Sequence, residues 1–82
     1  MDTKHRELRA AIARMSPREA TSWLKEFGLL QEEEQAIYLC DIRKESLVAA
    51  GFKMHCARET VSVYRARGYS HILRDLHGNI PT

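Results

Sequence analysis

Residues 46–67, SLVAAGFKMHCARETVSVYRAR, decide the fold of this 82-residue chain. The stretch holds two runs in which apolar residues recur at helical spacing, Ser46 to Met54 and Arg58 to Arg67. Apolar residues at every third or fourth position are typical of amphipathic helices. Only His55, Cys56 and Ala57 separate the two runs. The sequence therefore predicts two helices that are joined by a tight turn and cross closely.

Three residues of this stretch match the demands of a helix-turn-helix, in which two helices meet across a turn of three to four residues. Gly51 carries only a hydrogen in place of a side chain, at the position where the helices are expected to approach each other. His55, four residues later, stands where the chain needs a left-handed residue. Val61, ten residues after Gly51, packs the second helix onto the first. The supporting positions are also apolar or small: Leu47, Ala50, Met54, Cys56 and Tyr64.

On these residues, Ser46 to Arg67 resembles the helix-turn-helix of bacterial sigma factor region four and of related phage and response-regulator DNA-binding domains. Ala57 to Val61 is the most similar part, and Leu30 to Ile42 resembles the helix that precedes the motif. The resemblance implies a DNA-binding transcription regulator. It also implies that Arg58 and Glu59 begin the recognition helix and read base edges.

The segment departs from the family pattern at four positions. Gly51 replaces the usual Ala, and a helical glycine costs about 1 kcal/mol relative to alanine. Ala57 replaces a capping Ser or Thr that contributes about 1 kcal/mol. His55 stands for the turn glycine, and Ser62 stands where a second base-contacting Arg is frequent.

The residue types of the second helix suit the major groove. An arginine such as Arg58 donates two parallel hydrogen bonds to guanine O6 and N7, and Glu59 can accept from cytosine N4. Ser62 can hydrogen-bond to different bases, and Val63 suits contact with a thymine methyl group. We expect the phosphate contacts from four further residues: Lys53, His55, Arg65 and Arg67. The alternative is that these cations are solvated surface charges and that Arg58 and Glu59 have only a structural role, with Glu59 complementing the dipole at the N-terminus of the helix.

The rest of the chain predicts further helices, over Thr3 to Met15, Pro17 to Phe27, Gln31 to Arg43 and His71 to Leu76. Gly68 is expected to end the helix that starts at Arg58, and residues 77–82 to form a tail. The expected architecture is all-α, a compact bundle of five to six short helices in a single domain. Its parts are an N-terminal helical hairpin (1–29), a helix plus helix-turn-helix (30–67), and a short C-terminal helix with a tail (68–82).

The charge distribution favours a polyanionic partner for the second half of the chain. Residues 1–41 hold six cations and eight carboxylates, whereas residues 42–82 hold seven cations and three carboxylates. We expect double-stranded DNA as the partner. No catalytic constellation, cofactor motif, metal-ligand spacing or long apolar stretch is present in the sequence, so we expect no enzyme activity, cofactor, metal or membrane span. The expected location is the cytoplasm, at the nucleoid.

Two further partner hypotheses remain open. The chain is also compatible with a helical interaction module that docks RNA polymerase, a sigma factor or another regulator without touching DNA. A homodimer is the other possibility, because helix-turn-helix proteins commonly read two half-sites as dimers. The residues available for dimer packing are apolar and lie near the end of the second helix: Trp23, Leu24, Phe27 and Leu29.

Overall fold

The computed structural model describes residues 3–78, and over this range the chain forms helices and no strand. The elements are α1 (Thr3–Arg14), α2 (Pro17–Lys25), α3 (Gln31–Ile37), a π-helical turn that continues α3 (Tyr38–Ile42), α4 (Leu47–Met54) and α5 (Arg58–Gly78). None of these helices combines the length and the apolar character needed to cross a membrane. The predicted all-α bundle is confirmed.

Serine side chains begin two of the helices. The Oγ of Ser16 accepts a hydrogen bond from the backbone N–H of Glu19 at 3.2 Å, and Pro17 occupies the first position of α2. The Oγ of Ser46 accepts from the N–H of Ala49 at 3.0 Å and caps α4. These bonds satisfy donors that have no partner inside a helix, so each start is encoded locally.

The expected third helix, Gln31 to Arg43, is only partly α-helical. Its last turn widens into the π-helical segment, where the N–H of Arg43 donates to the carbonyl of Tyr38 at 2.9 Å. This bond spans five residues instead of four. Lys44 then adopts a positive φ of 58°, which turns the chain toward α4.

The C-terminal part of the chain differs from the prediction. Gly68 does not end a helix, and α5 continues through it to Gly78 as one element of 21 residues. Gly68 is buried under α3, and a Cβ at this position would lie 2.6 Å from the Cδ1 of Ile37 and 3.4 Å from the Cβ of Glu33. The glycine therefore allows α3 to approach α5 closely. No separate helix begins near His71, and of the expected tail only residues 79–82 lie outside the described part.

The core consists of two adjoining apolar clusters. The larger cluster joins α1, α2, the α3 region and the second half of α5, through Leu8, Ile12, Ala20, Leu24, Ile37, Ile42, Tyr69 and Ile72. The smaller cluster joins the α3 region, α4 and the first half of α5, through Ala36, Leu39, Ala50 and Val61. Helices from all three expected parts of the chain share the larger cluster, so α1 and α2 are built into the same body as α5.

Candidate functional site

The unit formed by α4, the following turn and α5 has the close geometry that the sequence predicts. His55 ends α4 in the left-handed conformation, with φ 59° and ψ 42°. The N–H of Cys56 donates to the carbonyl of Gly51 at 3.0 Å, and α5 begins at Arg58. The turn therefore consists of residues 55–57, and we call α4, this turn and α5 up to Arg67 the α4–α5 unit.

Gly51 and Val61 hold the two helices of this unit together. A Cβ on Gly51 would lie 2.6 Å from the carbonyl oxygen of Cys56, so a methyl group does not fit unless the backbone shifts. Val61 and Ala50 are completely buried, and both pack in the smaller core cluster. The predictions for Gly51, His55 and Val61 are confirmed at the level of local geometry.

The first half of α5 presents one exposed face to solvent. Glu59, Ser62, Val63 and Arg67 are all exposed. Glu59, Val63 and Arg67 follow at intervals of four residues along one side of the helix, and Ser62 lies next to Glu59 on its flank. Val63 retains 47% of its accessible surface although it is apolar. Four of the residues expected to meet a partner are therefore exposed on the first half of α5.

Arg58 and Glu59 form an exposed pair at the N-terminus of α5. The Nε of Arg58 donates to the Oε1 of Glu59 at 3.2 Å, and the two side chains are 64% and 74% exposed. The backbone N–H of Glu59, followed by the hydrogen bond from Arg58, lowers the pKa of the Glu59 carboxyl. The carboxylate is thus charged at neutral pH. The bond uses Nε, so the two Nη nitrogens of Arg58 stay free to donate to another acceptor.

Lys53 and His55 lie beside this surface, at the end of α4. Both residues are exposed. The Nζ of Lys53 is 2.6 Å from the Oε1 of Glu45, which precedes α4. The Lys53 side chain is 53% exposed and that of Glu45 is 20% exposed, so Lys53 has to leave a partly buried carboxylate before it can contact a phosphate.

The expectation that Arg65 is an exposed phosphate contact is corrected. Its side chain is only 13% exposed and forms a two-point ion pair with Asp41, whose side chain is 8% exposed. The Nε of Arg65 donates to Asp41 Oδ2 at 2.9 Å, and its Nη2 donates to Oδ1. The reason is helical phase: Arg65 lies four residues from Val61 and from Tyr69, which are both fully buried.

Tyr69 completes this buried cluster. Its hydroxyl donates to the same oxygen of Asp41 that accepts from Arg65. Burial, together with the charge of Asp41, raises the pKa of Tyr69 far above its usual range. Burial lowers the pKa of Arg65, but the hydrogen bond and the charge of Asp41 outweigh it, so the net shift is upward. Arg65 therefore stays protonated and Tyr69 stays neutral, and the cluster of Asp41, Arg65 and Tyr69 anchors α5 to the π-helical turn.

Sequence reasoning missed two surface features next to the α4–α5 unit. The first is an apolar strip on α4, where Val48 is 51% exposed and Phe52 is 80% exposed. A groove runs between this strip and the start of α5, along Cys56 and Arg58. Helical periodicity alone gave no signal for it, because apolar residues at i and i+4 are usually counted as core.

The second missed feature is a groove along the continued α5, lined by Glu33, Val63, Ala66, Arg67, Ser70 and Arg74. The expected helix end at Gly68 hid it, since Arg67 and Arg74 then belonged to different elements. As one helix, α5 places them two turns apart on the same face.

Compared with models of known families, with characterised proteins and with solved structures, the chain gives no match. Within residues 3–78, no group of three or more His, Cys, Asp or Glu side chains is placed to hold a metal ion.

Proposed function

We propose that the α4–α5 unit is a helix-turn-helix and that the protein binds duplex DNA with sequence specificity, as a small transcription regulator. The observation that carries the proposal is the close approach of Gly51 in α4 to the turn and to the first residue of α5, together with the exposed polar face of the first half of α5. An exposed helix of this kind fits the major groove, which is about 12 Å wide. In this arrangement the N-terminal residues of the second helix contact the base edges.

Base recognition is assigned to the exposed face of α5. Arg58 donates its two Nη groups to guanine O6 and N7, while its Nε keeps Glu59 in place. Glu59 accepts from cytosine N4 in the charged state that its lowered pKa maintains. Val63 contacts a thymine methyl group, and Ser62 hydrogen-bonds to either base of a pair. Lys53, His55 and Arg67 contact phosphates around these bases.

Fluorescence anisotropy on a duplex selected from a random pool tests this proposal. Arg58→Ala is expected to raise the dissociation constant by about 5- to 150-fold, equivalent to about 1–3 kcal/mol, and to relax the preference at one base pair. The matched control is Arg18→Ala, because Arg18 is an equally charged, exposed residue on α2, outside the α4–α5 unit. Equal losses in both variants would refute base reading by Arg58. No salt-sensitive binding by the wild type would refute DNA binding altogether.

A second candidate function rests on the exposed strip of Val48 and Phe52. Such a strip favours a helical adaptor that docks a protein of the transcription machinery, such as RNA polymerase or a sigma factor. Phe52→Gln separates the two functions, because Phe52 lies outside the polar face of α5. Loss of binding to purified RNA polymerase with unchanged DNA affinity would show that the strip acts in addition to DNA binding. Polymerase binding by a wild type that binds no DNA would make the adaptor the function.

A homodimer on paired half-sites remains a proposal within the DNA-binding function. Trp23 and Phe27 pack edge to face, with ring centroids 4.7 Å apart, and they lie half-buried against the larger core cluster. These rings therefore serve the core first. Sedimentation of the free protein and of its DNA complex measures whether a second copy joins.

A further inference from the structure

We infer that the second half of α5 is a phosphate-binding extension, in which Arg74, with Ser70 and Arg67, holds the DNA backbone outside the bases that α5 reads. The inference rests on the proposed DNA-binding function and deepens it. It assigns a ligand, the phosphodiester groups of duplex DNA, to the groove along residues 67–74.

The length of α5 carries the first step of the argument. Arg58 and Arg74 are 16 residues apart on one continuous helix, which corresponds to about 24 Å at 1.5 Å per residue. The major groove is about 12 Å wide and about 8.5 Å deep. A helix that places Glu59 and Val63 at base edges therefore extends beyond the groove, and its later turns, which carry Arg67 and Arg74 on the same side, lie against the phosphate backbone.

The direction of the side chains carries the second step. Arg67 and Arg74 differ by seven residues, two helical turns, and share the exposed face of Val63. Ser70 lies between them on the same face. Two cations about 10.5 Å apart with a hydroxyl between them present hydrogen-bond donors along the helix, as a row of phosphates requires.

The charges around the groove carry the third step. Among the described residues, neither Arg67 nor Arg74 has a carboxylate within 4.0 Å, so neither cation has to break an ion pair. Glu33 lines the groove but is 7% exposed, and its Oε1 accepts from the N–H of Leu30 at 3.2 Å. That carboxylate also lies 3.8 Å from His71 Nδ1, so it is directed toward partners inside the fold.

Ser70 connects the groove to α1. Its hydroxyl lies 3.3 Å from the Nε2 of His5, which is buried next to Tyr69. A hydroxyl that accepts from a histidine ring can donate its own proton to a phosphate oxygen. The last turns of α5 are therefore held in place by α1, so the cations meet the backbone on a rigid support.

The test measures binding of the full chain to two duplexes, the selected site with long flanks and the same site trimmed to the bases that α5 reads. Arg74→Ala is expected to weaken binding to the long duplex and to leave the trimmed duplex unaffected. The slope of the logarithm of its association constant against the logarithm of salt concentration is expected to be smaller than that of the wild type by about 0.9. The affinity ratio of wild type to variant should therefore shrink about 3.5-fold between 50 and 200 mM salt. Arg18→Ala is the control and should show neither effect.

The outcomes separate the inference from the proposed function. If the wild type binds and Arg58→Ala relaxes specificity, but Arg74→Ala binds both duplexes like the wild type, the extension is wrong and DNA reading stands. If Arg74→Ala weakens both duplexes equally, Arg74 acts within the reading site and the extension is also wrong. If the wild type binds neither duplex, both ideas fail. Because Arg74 is exposed and free of ion pairs among the described residues, unchanged thermal unfolding is expected of the variant.

Discussion

Replacing Asp41 by alanine removes the carboxylate that Arg65 and Tyr69 share. The guanidinium would stay buried, at 13% exposure, without its counter-charge, and the fully buried phenol would lose its acceptor. Removing one partner of a buried ion pair costs about 3–5 kcal/mol. A domain of 82 residues has a total unfolding free energy of about 4–12 kcal/mol. Asp41→Ala is therefore expected to remove about a quarter or more of the unfolding free energy.

Urea unfolding followed by far-UV circular dichroism measures this loss. The matched control is Asp75→Ala. Asp75 is also a carboxylate, but its side chain is 43% exposed and its contact with His71 Nε2 is long, at 3.7 Å. That control is expected to change the unfolding free energy by about 0.5 kcal/mol or less. A loss in Asp41→Ala no larger than that of the control would refute the conclusion that the Asp41 cluster anchors α5.

A second comparison separates loss of the pair from the cost of an orphaned charge. Removing both charges together in the double variant Asp41→Leu/Arg65→Met leaves no unpaired ion in the core. Apolar replacement of a whole buried pair is often neutral or stabilising by about 1–4 kcal/mol. The double variant is therefore expected to be more stable than Asp41→Ala, and a double variant that is less stable would contradict this interpretation.

Three further predictions concern the turn and the thiols. Gly51→Ala is expected to lower the unfolding free energy, measured by urea unfolding, by about 1–3 kcal/mol because the new Cβ meets a backbone oxygen. Gly68→Ala is expected to lower it less, because its Cβ meets the end of the Ile37 side chain, which can move. Ala57→Ser is expected to raise the thermal midpoint by supplying a cap to α5 of about 1 kcal/mol; an unchanged midpoint contradicts this. Burial raises the pKa of the Cys40 thiol. In a Cys56→Ser variant the alkylation rate of Cys40 should therefore keep rising with pH above the point at which the rate for a free thiol becomes constant.

The sequence predicted those parts of the fold that depend on neighbouring residues. The predicted helix starts at Pro17 and Ser46 coincide with serine caps, in which a hydroxyl accepts from the N–H three residues later. The turn at His55 and the close contact at Gly51 follow from fixed offsets within twenty residues. The exposed face around Arg58 then follows from helical periodicity alone.

The errors arose where a distant part of the chain decides the outcome. Glycine ends helices and also allows close packing, and only the position of α3 shows that Gly68 does the latter. Arg65 reads as a surface cation because its partner Asp41 is 24 residues away and on another element. Pairing over such a distance is a property of the folded topology, which a local pattern does not contain.

The π-helical turn depends on the number of residues that the chain has between Tyr38 and Ile42. Its hydrogen-bonded ring contains one residue more than an α-helical ring, which is equivalent to an insertion into a regular helix. That wider turn includes both Asp41, the partner of Arg65, and Leu39, which packs under α4. Deleting one residue here would restore a regular helix and change the register between the anchor of α5 and the residues that support α4. We therefore expect this segment to tolerate substitutions more readily than deletions.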